Sequence, residues 1–72
     1  MEKEDIIKFA CYVKYKRNLK GMSQEELAEK VNISIKTIGS LERGATNITL
    51  QNLYSIAKIL DIDLGVLTNP QA

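Results

Sequence analysis

One pattern of apolar and polar positions recurs four times along the chain and divides it into helices. Each copy is an apolar residue, then a residue able to cap a helix, then a second apolar residue four positions beyond the cap. The copies are Met22-Ser23…Leu27, Ile33-Ser34…Ile38, Ile48-Thr49…Leu53 and Ile62-Asp63…Leu67. The capping oxygen accepts a hydrogen bond from an otherwise unpaired amide of the first turn, and the flanking apolar pair staples the entering chain. The first copy adds Glu26 three residues after Ser23, which completes a capping box. Behind each cap the apolar residues follow helical spacing.

This pattern predicts five helices and an all-α fold class in a single domain spanning residues 1–72. The first runs from Glu4 to Lys20 and stops at Gly21, with Ile6, Phe9, Ala10, Val13 and the stem of Arg17 facing inward. The second, Gln24 to Val31, buries Leu27, Ala28 and Val31. The third, Ile35 to Arg43, buries Ile38 and Leu41 and ends at Gly44. The fourth, Leu50 to Leu60, buries Leu50, Leu53, Ile56, Ala57 and Leu60. A short fifth helix runs from Leu64 to Leu67, and the tail from Thr68 to Ala72 frays.

Only Asn32, Ile33 and Ser34 join the second helix to the third, so the two must cross steeply, as in a helix-turn-helix over about residues 24–43. Such a crossing needs a small residue where one helix passes over the other, and Ala28 supplies it. The turn needs a left-handed residue, which Asn32 tolerates better than most residues other than glycine. Ile33, Ile38 and Leu41 then hold the third helix to the core and leave its other face free.

Composition narrows the chemistry. With 44% hydrophobic and 26% charged residues, the 72-residue chain reads as globular, with a thin stability margin. Histidine is absent and Cys11 is the single cysteine, so neither a zinc finger nor an intrachain disulfide can be built. Cys11 is expected to be a buried thiol in a reducing compartment. Glu2, Glu4 and Asp5 stand where a signal peptide would carry positive charge, and no apolar run reaches membrane-spanning length. These features predict a cytoplasmic protein without a membrane partner. No nucleophile elbow and no phosphate-cradling glycine loop is present, so no enzyme, cofactor, metal or small-molecule ligand is expected.

Net charge is only +1, which is modest for a nucleic-acid partner. Its distribution is uneven, because Ile6 to Lys20 holds Lys8, Lys14, Lys16, Arg17 and Lys20 and no acidic residue. A near-neutral chain can still present one basic face.

The run Met22-Ser-Gln-Glu-Glu-Leu-Ala-Glu-Lys-Val31, followed by Ser34…Ile38…Leu41-Glu-Arg-Gly44, resembles the Cro/C1-type (XRE-like) phage-repressor domain. Thr49-Leu50…Leu53…Ile56-Ala-Lys58 and Ile62-Asp-Leu64…Leu67 extend the likeness, which covers residues 9–67. Within that family, Asn47-Ile-Thr-Leu50 and the short length are similar to the controller proteins of restriction-modification systems. The resemblance implies a compact five-helix, lambda-repressor-like fold whose third helix enters the major groove of double-stranded DNA. It places Gln24 against the phosphate backbone and Ile35, Lys36, Gly39 and Ser40 at base edges. Thr37, Thr46, Asn47 and Arg43 would touch phosphates, and the cap Ser34 would share that contact. Arg17 and Glu42 match a structural ion pair of the family.

On that face Lys36 can bond guanine, Ser40 can serve either kind of base, and Ile35 can pack on a thymine methyl. No Arg, Gln or Asn stands at those base-reading positions, so DNA deformability is expected to carry part of the specificity. Gly39, at an exposed position, costs about 1 kcal/mol relative to alanine. It either lets the backbone approach DNA or marks a site without a role.

The function these expectations compose is a sequence-specific DNA-binding transcriptional regulator acting as a homodimer on a two-fold-related operator. Ile59, Ile62, Leu64 and Val66 form an apolar strip for the dimer seam, unless they close the core instead. The alternative is an antitoxin-like or other protein-interaction module on the same fold, with Tyr12 and Tyr15 facing a partner.

Overall fold

Ser23, Ser34 and Thr49 each begin a helix in the computed structural model, which describes residues 3–65. Their side chains accept the amides of Glu26, Thr37 and Asn52 at 3.0–3.1 Å. The capping box closes when the Ser23 amide donates to Glu26 Oε1 at 3.1 Å. The helices among the described residues are α1 (Lys3–Leu19), α2 (Gln24–Val31), α3 (Ile35–Glu42) and α4 (Leu50–Leu60). Thus α2 and α4 have the bounds read from the sequence. Helix α1 begins and ends one residue earlier than expected, and Arg43 is the cap of α3 rather than its last residue. Asp63 accepts the amide of Gly65 at 2.9 Å, so the fourth start signal forms its bond. The fifth helix expected over Leu64–Leu67 runs past the described residues, and Val66 and the tail lie outside them.

The stops obey a local rule as strict as the starts. Gly21, Asn32, Gly44 and Asp61 all take the left-handed conformation, with φ of 66°, 59°, 68° and 58°. The residue after each bonds back five positions: Met22 to the Arg17 carbonyl, Ile33 to Ala28, Ala45 to Ser40, Ile62 to Ala57, all at 2.8–3.0 Å. Met22 and Ile33 therefore end one helix and, by packing on the core, staple the next, while Ile62 ends α4 and is itself buried. Gly44 has a second constraint, since a Cβ there would lie 3.2 Å from Cγ1 of Ile7 on α1. Glycine lets α1 pass that close.

Helices α1 and α2 each pack on α3 and α4. Phe9 and Val13 from α1, Leu27 from α2, Ile38 and Leu41 from α3, and Ile56 and Leu60 from α4 are fully buried. Val31 is only partly buried. Ala28 is buried, on a helix that packs on both α3 and α4.

Three burial expectations are corrected. Leu50 is 81% exposed, because it stands at the rim of the α4 stripe in the first turn, and Ile48 folds back before the cap to pack on the core in its stead. Cys11 is exposed, since the inward stripe of α1 is filled by Ile6, Phe9, Ala10, Val13 and Arg17 and position 11 falls on the opposite side. Ile62 is buried and Ile59 and Leu64 are half-buried against the core, so these three residues of the strip assigned to a dimer seam pack on the core. Among the described residues, no helix is long and apolar enough to cross a membrane.

Candidate nucleic-acid interface

The site begins with what holds α3. Arg17, on the last turn of α1, donates from Nε and Nη2 to the two carboxylate oxygens of Glu42 at 2.6 and 3.0 Å. Its third nitrogen, Nη1, donates to the carbonyl of Met22 at 2.7 Å. Gln24, at the first position of α2, donates its amide to Glu42 Oε1 at 3.1 Å. One carboxylate at the end of α3 is thereby clamped from α1 and α2 at once, with side-chain exposures of only 10% and 4% for Arg17 and Glu42. The paired, planar geometry is the strong form of such a contact.

Burial pushes the Glu42 carboxyl up, but the hydrogen bonds from Arg17 and Gln24 and the charges of Arg17 and Lys14 more than offset it and hold the group below the ordinary carboxylate range. The hydrogen bond to Glu42 raises Arg17 further above its already high value. A carboxyl whose folded pKa lies below its unfolded one gives stability that is complete above the unfolded value, and that stability fades as pH falls through the folded one. The melting temperature should therefore drop as the pH falls below the ordinary glutamate value of about 4.3. Glu42→Gln should flatten that part of a calorimetric pH series.

With its inward face held by Ile38 and Leu41, α3 turns its opposite face to solvent. Ile35 is half exposed and Lys36 and Arg43 are exposed, with Ser40 partly covered beside them. Thr37 is partly covered, and its hydroxyl shares a 2.7 Å hydrogen bond with the cap Ser34. Gly39 differs from its sequence reading. It is buried rather than exposed, because Gln24 and Arg43 cover it: a Cβ built there would lie 3.3 Å from Arg43 Nη1 and 3.8 Å from Gln24 Oε1. An idle surface site does not describe it.

Thr46 and Asn47 lie in the loop after α3, where they line an open cleft with Lys3, Ile6, Gly44 and Ala45. The Thr46 hydroxyl donates to the Asn47 carbonyl at 3.2 Å, leaving the Asn47 side chain exposed. Lys3 at this cleft is a cation the sequence reading missed. Only the return of the loop to the start of α1 brings them together, and no local spacing signals that.

The helix-turn-helix family model matches residues 13–67, the last two turns of α1 and all of α2 to α4. The chain belongs to the Cro/C1-type helix-turn-helix family. This Cro/C1-type domain is 40% identical over 55 residues to control protein C.SmaI of Serratia marcescens, covering 76% of this chain and 66% of that protein. It is 46% identical over 41 residues to an uncharacterized HTH-type transcriptional regulator of Archaeoglobus fulgidus, covering 57% of this chain and 59% of the regulator. Both matches span somewhat less than two thirds of the relative's own length. Among solved structures, a mutant of the restriction-modification controller protein C.Esp1396I matches with a TM-score of 0.77 at 33% identity, covering 92% of this chain and 86% of that one.

Proposed function

We propose that this Cro/C1-type domain is a transcriptional regulator that binds double-stranded DNA sequence-specifically, as a homodimer on a two-fold-related operator. The observation that carries the reading is the outward face of α3. Ile35, Lys36, Ser40 and Arg43 lie on the side of α3 opposite Leu41, and Glu42 and Leu41 hold the helix from behind. One such helix fits the major groove, while Thr37, Thr46, Asn47 and Gln24 flank it for phosphate contacts. The relatives' names, a control protein and a restriction-modification controller, support a controller-like role in particular. A cytoplasmic location goes with this reading.

A single module contacts too few base pairs for specificity, and a two-fold dimer doubles them. The dimer face now rests on α4, where Leu50 and Tyr54, one turn apart, are 81% and 65% exposed. Beside Tyr54 a shallow groove is lined by Ala57, Lys58, Ile62, Asp63 and Leu64, so part of the earlier strip still reaches this surface.

Selection from a random duplex pool at near-physiological salt tests the reading. An enriched inverted repeat with half-sites about one helical turn apart supports it. Lys36→Ala should then weaken binding to the selected duplex by about 1–3 kcal/mol, measured by titration, without lowering the melting temperature. Binding to no particular sequence, vanishing as salt rises, would overturn it.

A protein-interaction module is the second reading, favoured by the outward face of α1. Ile7, Tyr15 and Leu19 are exposed there at four- and eight-residue spacing, with Cys11 between them. The absence of any enriched duplex would move that reading to first place.

A further inference from the structure

We propose that Arg43 reads a base, a guanine in the major groove, rather than a phosphate. The proposal rests on the DNA-binding reading of α3 and names a contact that reading leaves empty.

Lys36, Gly39, Ser40 and Arg43 fall at helical positions i, i+3, i+4 and i+7, the stripe opposite Ile38 and Leu41. Arg43 caps α3, so its backbone is at the helix end, where a cation would ordinarily reach outward to the DNA backbone. Its side chain does not do so. Helical side chains lean toward the N-terminus, and Arg43 follows that lean across the preceding turn. Its Nη2 donates to Ser40 Oγ at 3.2 Å, and Nη1 lies 3.3 Å from where a Cβ on Gly39 would stand. The guanidinium therefore sits over positions 39 and 40, in space that a glycine and a short serine leave open. It is this cover that buries Gly39.

Charge and donor count agree with a reading role. The adjacent carboxylate, Glu42, is taken by Arg17 and Gln24. A guanidinium has five N–H donors in a fixed fork. Ser40 accepts one, which anchors the group and leaves donors for the O6 and N7 acceptors of guanine. Anchoring also reduces the rotamer freedom lost on binding. Two cations thus occupy the centre of the stripe, Lys36 in the first turn and the Arg43 head over the second. Their Cα atoms are about 10 Å apart along the axis and the Arg43 head leans toward Lys36, so their bases fall within about three base-pair steps.

The test is selection from a random duplex pool with wild type, Arg43→Ala, Arg43→Lys and Gly39→Ala, with melting curves to check each fold. The best wild-type duplex and its single-base variants are then titrated across a salt series. Wild type should prefer one G·C pair in each half-site over its substitutions by roughly 5- to 140-fold. Arg43→Ala should abolish preference at that pair and at no other. Arg43→Lys should keep the salt slope but lose most of the preference, since the ammonium lacks the planar fork. Gly39→Ala, whose new methyl displaces the guanidinium, should reduce the preference at the same pair. If Arg43→Ala instead weakens all duplexes alike, leaves the selected motif unchanged and lowers the salt slope by about 1 per subunit, Arg43 is a phosphate contact and the proposal is wrong. If wild type itself selects no motif, the DNA-regulator reading falls first and takes this one with it.

Discussion

Arg17→Ala should lower the unfolding free energy by about 3–5 kcal/mol, the cost of leaving a buried charge without its partner. The guanidinium makes three hydrogen bonds, to both Glu42 oxygens and to the Met22 carbonyl, and its removal strands a carboxylate whose side chain is 4% exposed. Gln24 alone remains to satisfy it. A 72-residue domain has a total stability of only about 4–11 kcal/mol, so this one change consumes a large share and brings the variant close to unfolding at room temperature. Urea titration followed by helical circular dichroism reads the effect. The double replacement Arg17→Leu with Glu42→Leu should recover most of the loss, because it removes both buried charges together. A single variant as stable as the parent would mean that water or another cation solvates Glu42. By contrast, the exposed pair of Lys20 with Asp61 at 3.0 Å should be worth under about 1 kcal/mol.

Phe9→Ala should cost a similar amount, about 3–5 kcal/mol, through the cavity it leaves. Phe9 is the largest of the fully buried side chains and sits where α1 meets the core. Leu50→Ser is its counterpart. On the periodicity of α4 Leu50 belongs with the core, yet at 81% exposure its replacement should leave the urea midpoint nearly unchanged. The place to look for its effect is association: with α4 as the dimer face, Leu50→Ser together with Tyr54→Asp should shift sedimentation toward a monomer and weaken operator binding. A dimer undisturbed by both changes would move the seam elsewhere.

The two outcomes separate what spacing can and cannot convey. The starts of α2, α3 and α4 were legible, because a cap is a bond between residues three apart and needs no other part of the molecule. The left-handed stops at Gly21, Asn32 and Gly44 were legible for the same reason. Asp61 was not, although it takes the same φ, since aspartate adopts that conformation far less freely than glycine. The central core stripe was readable as well: Ile6, Phe9, Ala10, Val13, Leu27, Ala28, Ile38, Leu41, Leu53, Ile56, Ala57 and Leu60 are all buried.

The outward face of α3 was legible as a face, since the helix that buries Ile38 and Leu41 must turn Lys36 outward. Its detail was not. Gly39 looked exposed because nothing in its own turn covers it; its cover comes from Gln24 of α2 and from the backward lean of Arg43. The cleft that joins Lys3 to Thr46 and Asn47 unites residues more than 40 positions apart.

By itself, then, the sequence determined where α2, α3 and α4 begin, which residues stop the first three helices, which residues line the middle of the core and which side of α3 is free. All of these follow from bonds within a few residues or from a repeat of 3.6 residues per turn. Tertiary structure alone decided the rest: that Ile62 goes in while Leu50 stays out, that Cys11 faces solvent, and that Gln24 reaches Glu42 across 18 residues and covers Gly39. A residue at the rim of an amphipathic stripe is buried or exposed according to how far the neighbouring helix extends, and a long polar side chain goes to the partner that packing brings within reach. Neither distance is encoded in local spacing.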